Sequence, residues 1–361
     1  MTGSTGFLGS ELLRILCTDQ SVSRIVTFIS PSPGFSAAEK LGKITEKWSL
    51  DPLCDTSKIQ IVPYRLGFAY RHDPNLYTSR FEYFIHLAGL TDLNPSLDTA
   101  RRNNVFATQE ALRIACQSQN IKRFTHVSTA YVCGKHDTLI TEDMPAQLYF
   151  NNAYERTKYE AEQTVTRMQL PYTIVRPSII VGRQSDGYFP RTKVIYSLWK
   201  AWLRGIAPRI PVDRQSFVDI VPLDWVCAVI WELTRNPLSL NGIFHACAGA
   251  DRQNNLELIN LASRIFQVNL PKTCPKKILD IIQYPIVKHA VPYDLQKIIT
   301  EFNQLLIYMN SKKRVFSMEK TNAILGSRNL ILEPFHRWGP ILFEYFCKTI
   351  SLKKIKSQNK V

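Results

Sequence analysis

Residues 1–16 read MTGSTGFLGSELLRIL, and the spacing of small and apolar residues in this stretch decides the fold. Gly3, Gly6 and Gly9 are followed at once by Leu12, Leu13, Ile15 and Leu16, the apolar pattern of one helix face. A glycine-rich turn that opens straight into a helix brings bare backbone to a positive helix N-terminus, where a pyrophosphate can be held. Ser4, Thr5, Phe7 and Leu8 complete the loop, whose spacing is GxxGxxG rather than GxGxxG. Such a turn follows a strand, yet only Met1 and Thr2 stand before Gly3. The expectation is therefore a first strand that is truncated, or completed by residues ahead of Met1.

Working outward, apolar runs of strand length recur between turn residues: RIVTFIS, KIQIVPY, YFIHLA, RFTHVS and YTIVRPSII. Helical stretches lie between several of them, notably DTARRNNVFATQEALRIACQSQN and NNAYERTKYEAEQTVTRM. Strands alternating with helices of this length predict an α/β fold, a doubly wound parallel sheet of Rossmann type. Near-continuous apolar strands such as RIVTFIS suit a sheet covered on both faces. The dinucleotide-binding part is expected over 1–182. A smaller, mainly helical cap lobe is expected over 183–361, with strands near 215–220 and 242–247 returning to the sheet. No repeat or long linker divides the chain.

With 361 residues and 45% apolar composition the chain can bury a full core. Its eight cysteines show no CxxC pair and no zinc spacing, and Cys116, Cys133, Cys227 and Cys247 fall in apolar segments. They read as reduced core thiols of a cytoplasmic protein, and no metal is expected. Neither a secretory leader nor a membrane-length apolar run is present in the sequence. The net charge of +15 favours polyanionic partners, including nucleotides, coenzyme A and acidic carrier proteins. No nucleic-acid motif accompanies that charge. The segment HRWGPILFEYFCKTISLKK has the composition of an interfacial helix, but packing against its own domain is the favoured reading over membrane contact.

Two segments carry the chemistry. Tyr154 and Lys158, in NAYERTKYEAE, are four apart and project from one helix face. An ammonium beside a phenol lowers its pKa from about 10 by roughly one to three units, which suits proton exchange near neutral pH. Ser128 and Thr129, in HVSTAYV, stand at the carboxyl end of a strand, where open α/β sheets bind ligands. At the end of the second strand, where an acid would select a free ribose hydroxyl, the sequence has Ser30 with Lys40 and Lys43 beyond it. That pattern leans to NADPH, with NADH as the alternative.

TGSTGFLG, HLAG at 86–89, NNVFATQEAL, HVSTAYV, YERTK, LPYTIVRPSIIVG and FVDIVPLDWV together resemble an extended short-chain dehydrogenase/reductase. Within that superfamily the chain is similar to the branch of thioester reductases, male-sterility proteins and fatty acyl-CoA reductases. The resemblance implies that Tyr154 is the proton donor and that Lys158 orients the nicotinamide ribose. It implies that Thr129, or alternatively Ser128, bonds the substrate carbonyl, that Asn104 packs near the site, and that Pro177 lies by the nicotinamide. Ala88 and Gly89 join the glycine loop as cofactor-binding residues, while Asp219 and Asp224 are structural. The implied reaction is NADPH-dependent reduction of an acyl-CoA or an acyl group on a carrier protein to aldehyde or alcohol. Action on a free alcohol or ketone, a sterol or nucleotide sugar, is the alternative; so is a non-catalytic dinucleotide-binding scaffold. Relatives of this kind often form homodimers. Three features depart from the pattern: the short first strand, Ser30, and YRL at 64–66, whose Arg65 would stack on adenine.

Overall fold

The computed structural model describes residues 1–48, 51–64, 81–145, 149–190, 194–203, 209–210, 212–273 and 303–358. Its parallel sheet is built from β1 (Ile25–Ile29), β2 (Ile59–Pro63), β3 (Tyr83–His86), β4 (Arg123–Val127), β6 (Tyr172–Pro177) and β11 (Gly242–Ala246). β1 pairs with β2, and β11, β6, β4 and β3 pair in that order. Thr2 joins the two halves through parallel bridges to Phe28 on one side and His86 on the other. The Phe28 amide donates to the Met1 carbonyl at 2.9 Å, and the Thr2 amide donates to the Ile85 carbonyl at 3.0 Å. Two residues thus occupy the central position expected of a full strand. With them counted first, the strand sequence across the sheet is that of the doubly wound fold, and its topological switch lies at the glycine loop.

β4 is buried at every residue, as a strand covered on both faces must be. One face is covered by α1 (Phe7–Thr18) and α7 (Leu223–Arg235), which pack on each other. α7 is apolar nearly all round, with Leu223, Trp225, Val226, Val229, Ile230 and Leu233 buried, and it also packs on β3, β4 and β6. α4 (Ala107–Ala115) and α5 (Ala153–Arg167) pack against each other, α4 on β3 and α5 on β6. The single helix expected from DTARRNNVFATQEAL is three pieces: α3 (Leu97–Arg101), a π-helical turn over Arg102–Phe106, and α4. α2 (Ala37–Thr45) follows β1 and starts at a capping box of Ser36 and Glu39.

Short ladders knit the C-terminal portion: β5 (Leu139–Ile140) with β14 (Val315–Phe316), β7 (Ile179–Val181) with β10 (Ile220–Pro222), β8 (Arg209–Ile210) with β13 (Lys272–Thr273), and β9 (Phe217–Val218) with β12 (Gln253–Asn254). The rest of that portion is mainly helical, including α6 (Val194–Leu203), α8 (Asn255–Phe266) and the C-terminal helix Phe335–Gln358. Trp199, Phe266, Phe343 and Phe346 meet edge to face there, with the Trp199 and Phe343 rings 4.8 Å apart. The apolar side of the C-terminal helix is spent on this core, because Trp338, Leu342, Phe343 and Phe346 are buried. Among the described residues no helix is long and apolar enough to cross a membrane.

All seven described cysteines are free thiols. Cys133, Cys227 and Cys247 are buried as expected, whereas Cys116 is exposed. It follows the last residue of α4 as its C-cap, ahead of the turn that leads to β4.

Candidate active site

The glycine loop is held so closely that side chains are excluded from it. Gly3 has φ +71°, and a Cβ there would stand 2.7 Å from the Ala88 amide nitrogen. A Cβ on Gly9 would stand 2.1 Å from the Gly3 carbonyl oxygen. Gly6 is the N-cap of α1, with no side-chain cap and no acidic residue in the first turn. The helix N-terminus therefore keeps its positive end for a ligand. Ser4 is buried and accepts from the Thr27 hydroxyl at 2.5 Å, which ties the loop to β1. Phe7, the first residue of α1, is buried, while Thr5 and Leu8 are half-buried.

At the end of β1, Lys40 reaches back from α2 and donates to the Ser30 carbonyl at 2.7 Å. Lys43 turns away and lies over the Phe35 ring, 3.4 Å from its centroid. Glu39, the one nearby carboxylate on α2, is engaged by the Ser36 amide and hydroxyl. Arg65 lies outside the described residues.

Ser128 and Thr129 emerge together from the carboxyl end of β4. The Ser128 amide donates to the Val175 carbonyl at 2.8 Å, while its hydroxyl is buried with no hydrogen-bond partner among the described residues. Thr129 caps a 3-10 turn over Ala130–Cys133. Helix α5 brings the Tyr154 phenol to the end of β4, where the Thr129 hydroxyl is the neighbour that favours its ionised form. One turn along α5, Lys158 donates from Nζ to the Val127 carbonyl at 2.8 Å. Burial pushes the Tyr154 phenol up to about 12, and Thr129 opposes it. Burial brings the Lys158 ammonium down to about 8, with Glu162 opposing. The expected lowering of the phenol by the ammonium is thus absent here, because desolvation dominates and Nζ is tethered to backbone.

Asn104 binds the elements around this pair. Its Oδ1 accepts from the Leu90 amide at 2.8 Å and its Nδ2 donates to the Thr157 hydroxyl at 2.9 Å. A Cβ on Gly89 would meet Asn104 Oδ1 at 3.1 Å and Lys158 Nζ at 3.9 Å, so the 88–90 loop lies against both. Pro177 ends β6 opposite Ala246 of β11. Asp219 is buried, accepting from Ser178, the Ala248 amide and the Gly249 amide. Asp224 takes the Gln184 and Ser185 amides.

With this geometry in view, residues 1–230 match the sequence profile of the male sterility protein family. The chain belongs to that family. Fatty acyl-CoA reductase 1 of Rattus norvegicus is 24% identical over 402 aligned residues, covering 91% of this chain and 78% of the reductase. N-benzoylphenylalaninol synthetase of Penicillium brevicompactum is 27% identical over 205 residues, 52% of this chain and 8% of the synthetase. The terminal R domain from the myxalamid PKS-NRPS biosynthetic pathway superposes with a TM-score of 0.78 at 21% identity, covering 98% of this chain and 90% of that domain. That likeness shows a shared fold.

A male sterility family member is an NAD(P)-dependent oxidoreductase, and the residues present fit a nicotinamide nucleotide. The cradle that a Cβ at Gly3 or Gly9 would fill, and the uncapped start of α1, are the features a pyrophosphate requires.

Two supports of the candidate site carry no signal in the sequence. His86 accepts or donates on both ring nitrogens, at 2.8 Å to the Thr2 hydroxyl and 3.1 Å to the Thr108 hydroxyl. Thr108 gives its only proton to the Asn104 carbonyl at 2.6 Å, so His86 Nε2 must be the donor to Thr108 and Nδ1 must accept from Thr2. Burial keeps this imidazole neutral, down to about 3. The chain Thr2, His86, Thr108, Asn104 thus links the glycine loop to the α5 contact. Tyr308, from the helical segment 303–309, is the other: its hydroxyl accepts from Asn152, the N-cap of α5, at 2.9 Å. Nothing near Tyr308 in sequence signals this; only the fold brings it beside α5. Tyr308→Phe is expected to cost about 1–2 kcal/mol of stability by removing this partner of Asn152, read as a lower urea midpoint, with nucleotide affinity unchanged.

Proposed function

We propose that this chain is an NADPH-dependent reductase of acyl thioesters, taking acyl-CoA or a carrier-bound acyl group to an aldehyde or alcohol. The placing of Tyr154 beside Thr129 at the end of β4, one turn from a Lys158 that is bonded to the Val127 carbonyl of the same strand, carries the reading. The nicotinamide, when bound, supplies hydride. Thr129 and Tyr154 donate to the carbonyl oxygen of the substrate, where negative charge develops as the carbon becomes tetrahedral. Tyr154 then gives that oxygen its proton, and a phenol held up at about 12 is fully protonated at neutral pH for this task. Lys158, held by Val127, keeps a cation beneath the site, and Ser128 offers a second hydroxyl at the same strand end. Asn104 fixes the distance between the 88–90 loop and α5. Collapse of the tetrahedral hemithioacetal releases the thiol.

A relative supports the thioester: fatty acyl-CoA reductase 1, which carries an acyl-CoA in its name, aligns with 91% of this chain. The net charge of +15 suits either coenzyme A or an acidic carrier protein. Release of free thiol from an acyl thioester with NADPH is the test. Turnover of a sterol or sugar nucleotide, with no thiol release, would replace this reading by the free-alcohol one.

NADPH is favoured because Lys40 stands at the end of β1 while Glu39 is engaged in its capping box. Lys40→Ala is expected to weaken NADPH binding roughly tenfold or more, the worth of a hydrogen bond to a charged group, with NADH binding unchanged. Equal losses for both nucleotides, measured by fluorescence titration, would remove Lys40 from phosphate recognition.

A further inference from the structure

We propose that Cys17 and Cys54 form a thiol pair that closes to an intramolecular disulfide when the protein meets a small disulfide oxidant such as oxidised glutathione. Cys17 is the second-last residue of α1 and fully buried. Cys54 lies in the turn before β2, is half-buried, and lines a surface cleft together with Phe35, Trp48 and Asp51. Cys17 belongs to the buried core and Cys54 packs against that same core, where each thiol acts on the other's titration. Backbone contacts hold the segments together: the Asp55 amide donates to the Cys17 carbonyl at 3.4 Å, and Lys58 Nζ donates to the same carbonyl at 3.2 Å. The pair takes no part in the chemistry proposed above.

The cleft decides the order of events. Cys54, which an oxidant can reach, attacks one sulfur of glutathione disulfide as the thiolate; an S–S bond breaks, one glutathione thiolate leaves, and a mixed disulfide forms on Cys54. Cys17, on the segment that the Asp55 amide bonds, attacks the Cys54 sulfur and expels the second glutathione. Two protein thiols lose two electrons and two protons, and one glutathione disulfide becomes two thiols. Burial raises both cysteines, Cys17 to about 12, so at neutral pH little thiolate is present and closure is slow. The bond closes a ring that contains β1, α2, Ser30 and Lys40, the part of the chain that meets the nucleotide's ribose end. Closing that ring restricts the unfolded chain and stabilises the fold.

The test is incubation of the reduced full chain with oxidised glutathione, followed by alkylation and peptide mass spectrometry without reduction. The expected product is a peptide pair linked through Cys17 and Cys54, with the rate rising roughly tenfold per pH unit between pH 7 and 9 and Tm rising in the product. Cys17→Ser should stop the reaction at a stable glutathione adduct on Cys54, and Cys54→Ser should abolish modification of Cys17. Recovery of Cys17 and Cys54 as separate alkylated or glutathionylated residues at pH 9 would overturn the proposal, as would a linkage of either to another cysteine.

Discussion

Tyr154→Phe is expected to lower kcat at least about a hundredfold, the usual worth of a positioned general acid, while leaving nucleotide affinity within about twofold. The substitution removes one oxygen from a half-buried side chain, so folding is barely touched. The same pair predicts the pH profile. Tyr154, held up at about 12, stays protonated across the working range, whereas Lys158, brought down to about 8, loses its charge as pH rises through that value. An alkaline fall in kcat centred near pH 8 is therefore assigned to Lys158, and Lys158→Met should abolish that limb along with most activity. Stability moves in the opposite sense. The unfolded chain binds the Lys158 proton more tightly than the folded one, so this group adds stability as pH climbs from about 8 towards its free value of 10.5. Near-normal turnover by Tyr154→Phe would remove the phenol from the mechanism.

Gly9→Ala is the second large effect. In an ordinary helix that change adds about 1 kcal/mol, since alanine is the better helix former. Here the new Cβ would stand 2.1 Å from the Gly3 carbonyl oxygen, a backbone atom that yields only if the whole turn opens. The expected outcome is a folded but less stable protein, lower by about 1–3 kcal/mol, whose Tm no longer responds to NADPH. For the parent chain, nucleotide at a hundred times its Kd should add about 2.7 kcal/mol. Thermal shift measures both, and an undiminished NADPH response in Gly9→Ala would mean that phosphate binds elsewhere.

The strands were legible because runs of strand length recur between turn residues, and β1 is apolar almost without interruption, a pattern forced by cover on both faces. Tyr154 and Lys158 were legible because spacing of four on a helix fixes a shared face. Thr2 was not: two residues carry no periodicity, and their bridges to Phe28 and His86 depend on neighbours far along the chain. The π-helical turn over Arg102–Phe106, which buries Asn104 towards α5, also lacks a sequence signature. Lys43 illustrates a surface choice that composition leaves open, since a lysine beside an aromatic ring can face phosphate or stack on it; here it stacks on Phe35. The His86 chain and the Tyr308 contact are buried polar pairings, decided by which partners the fold delivers rather than by local pattern.

The measurement that meets the central claim most directly is simultaneous recording of NADPH oxidation and free-thiol release with a long-chain acyl-CoA and with the same acyl group on a carrier protein. The account predicts that thiol appears with each NADPH consumed for the first reduction, and that both signals vanish in Tyr154→Phe. NADPH that binds, as thermal shift reports, yet is never oxidised by either thioester would contradict it, as would oxidation with a ketone or sterol and no thiol released.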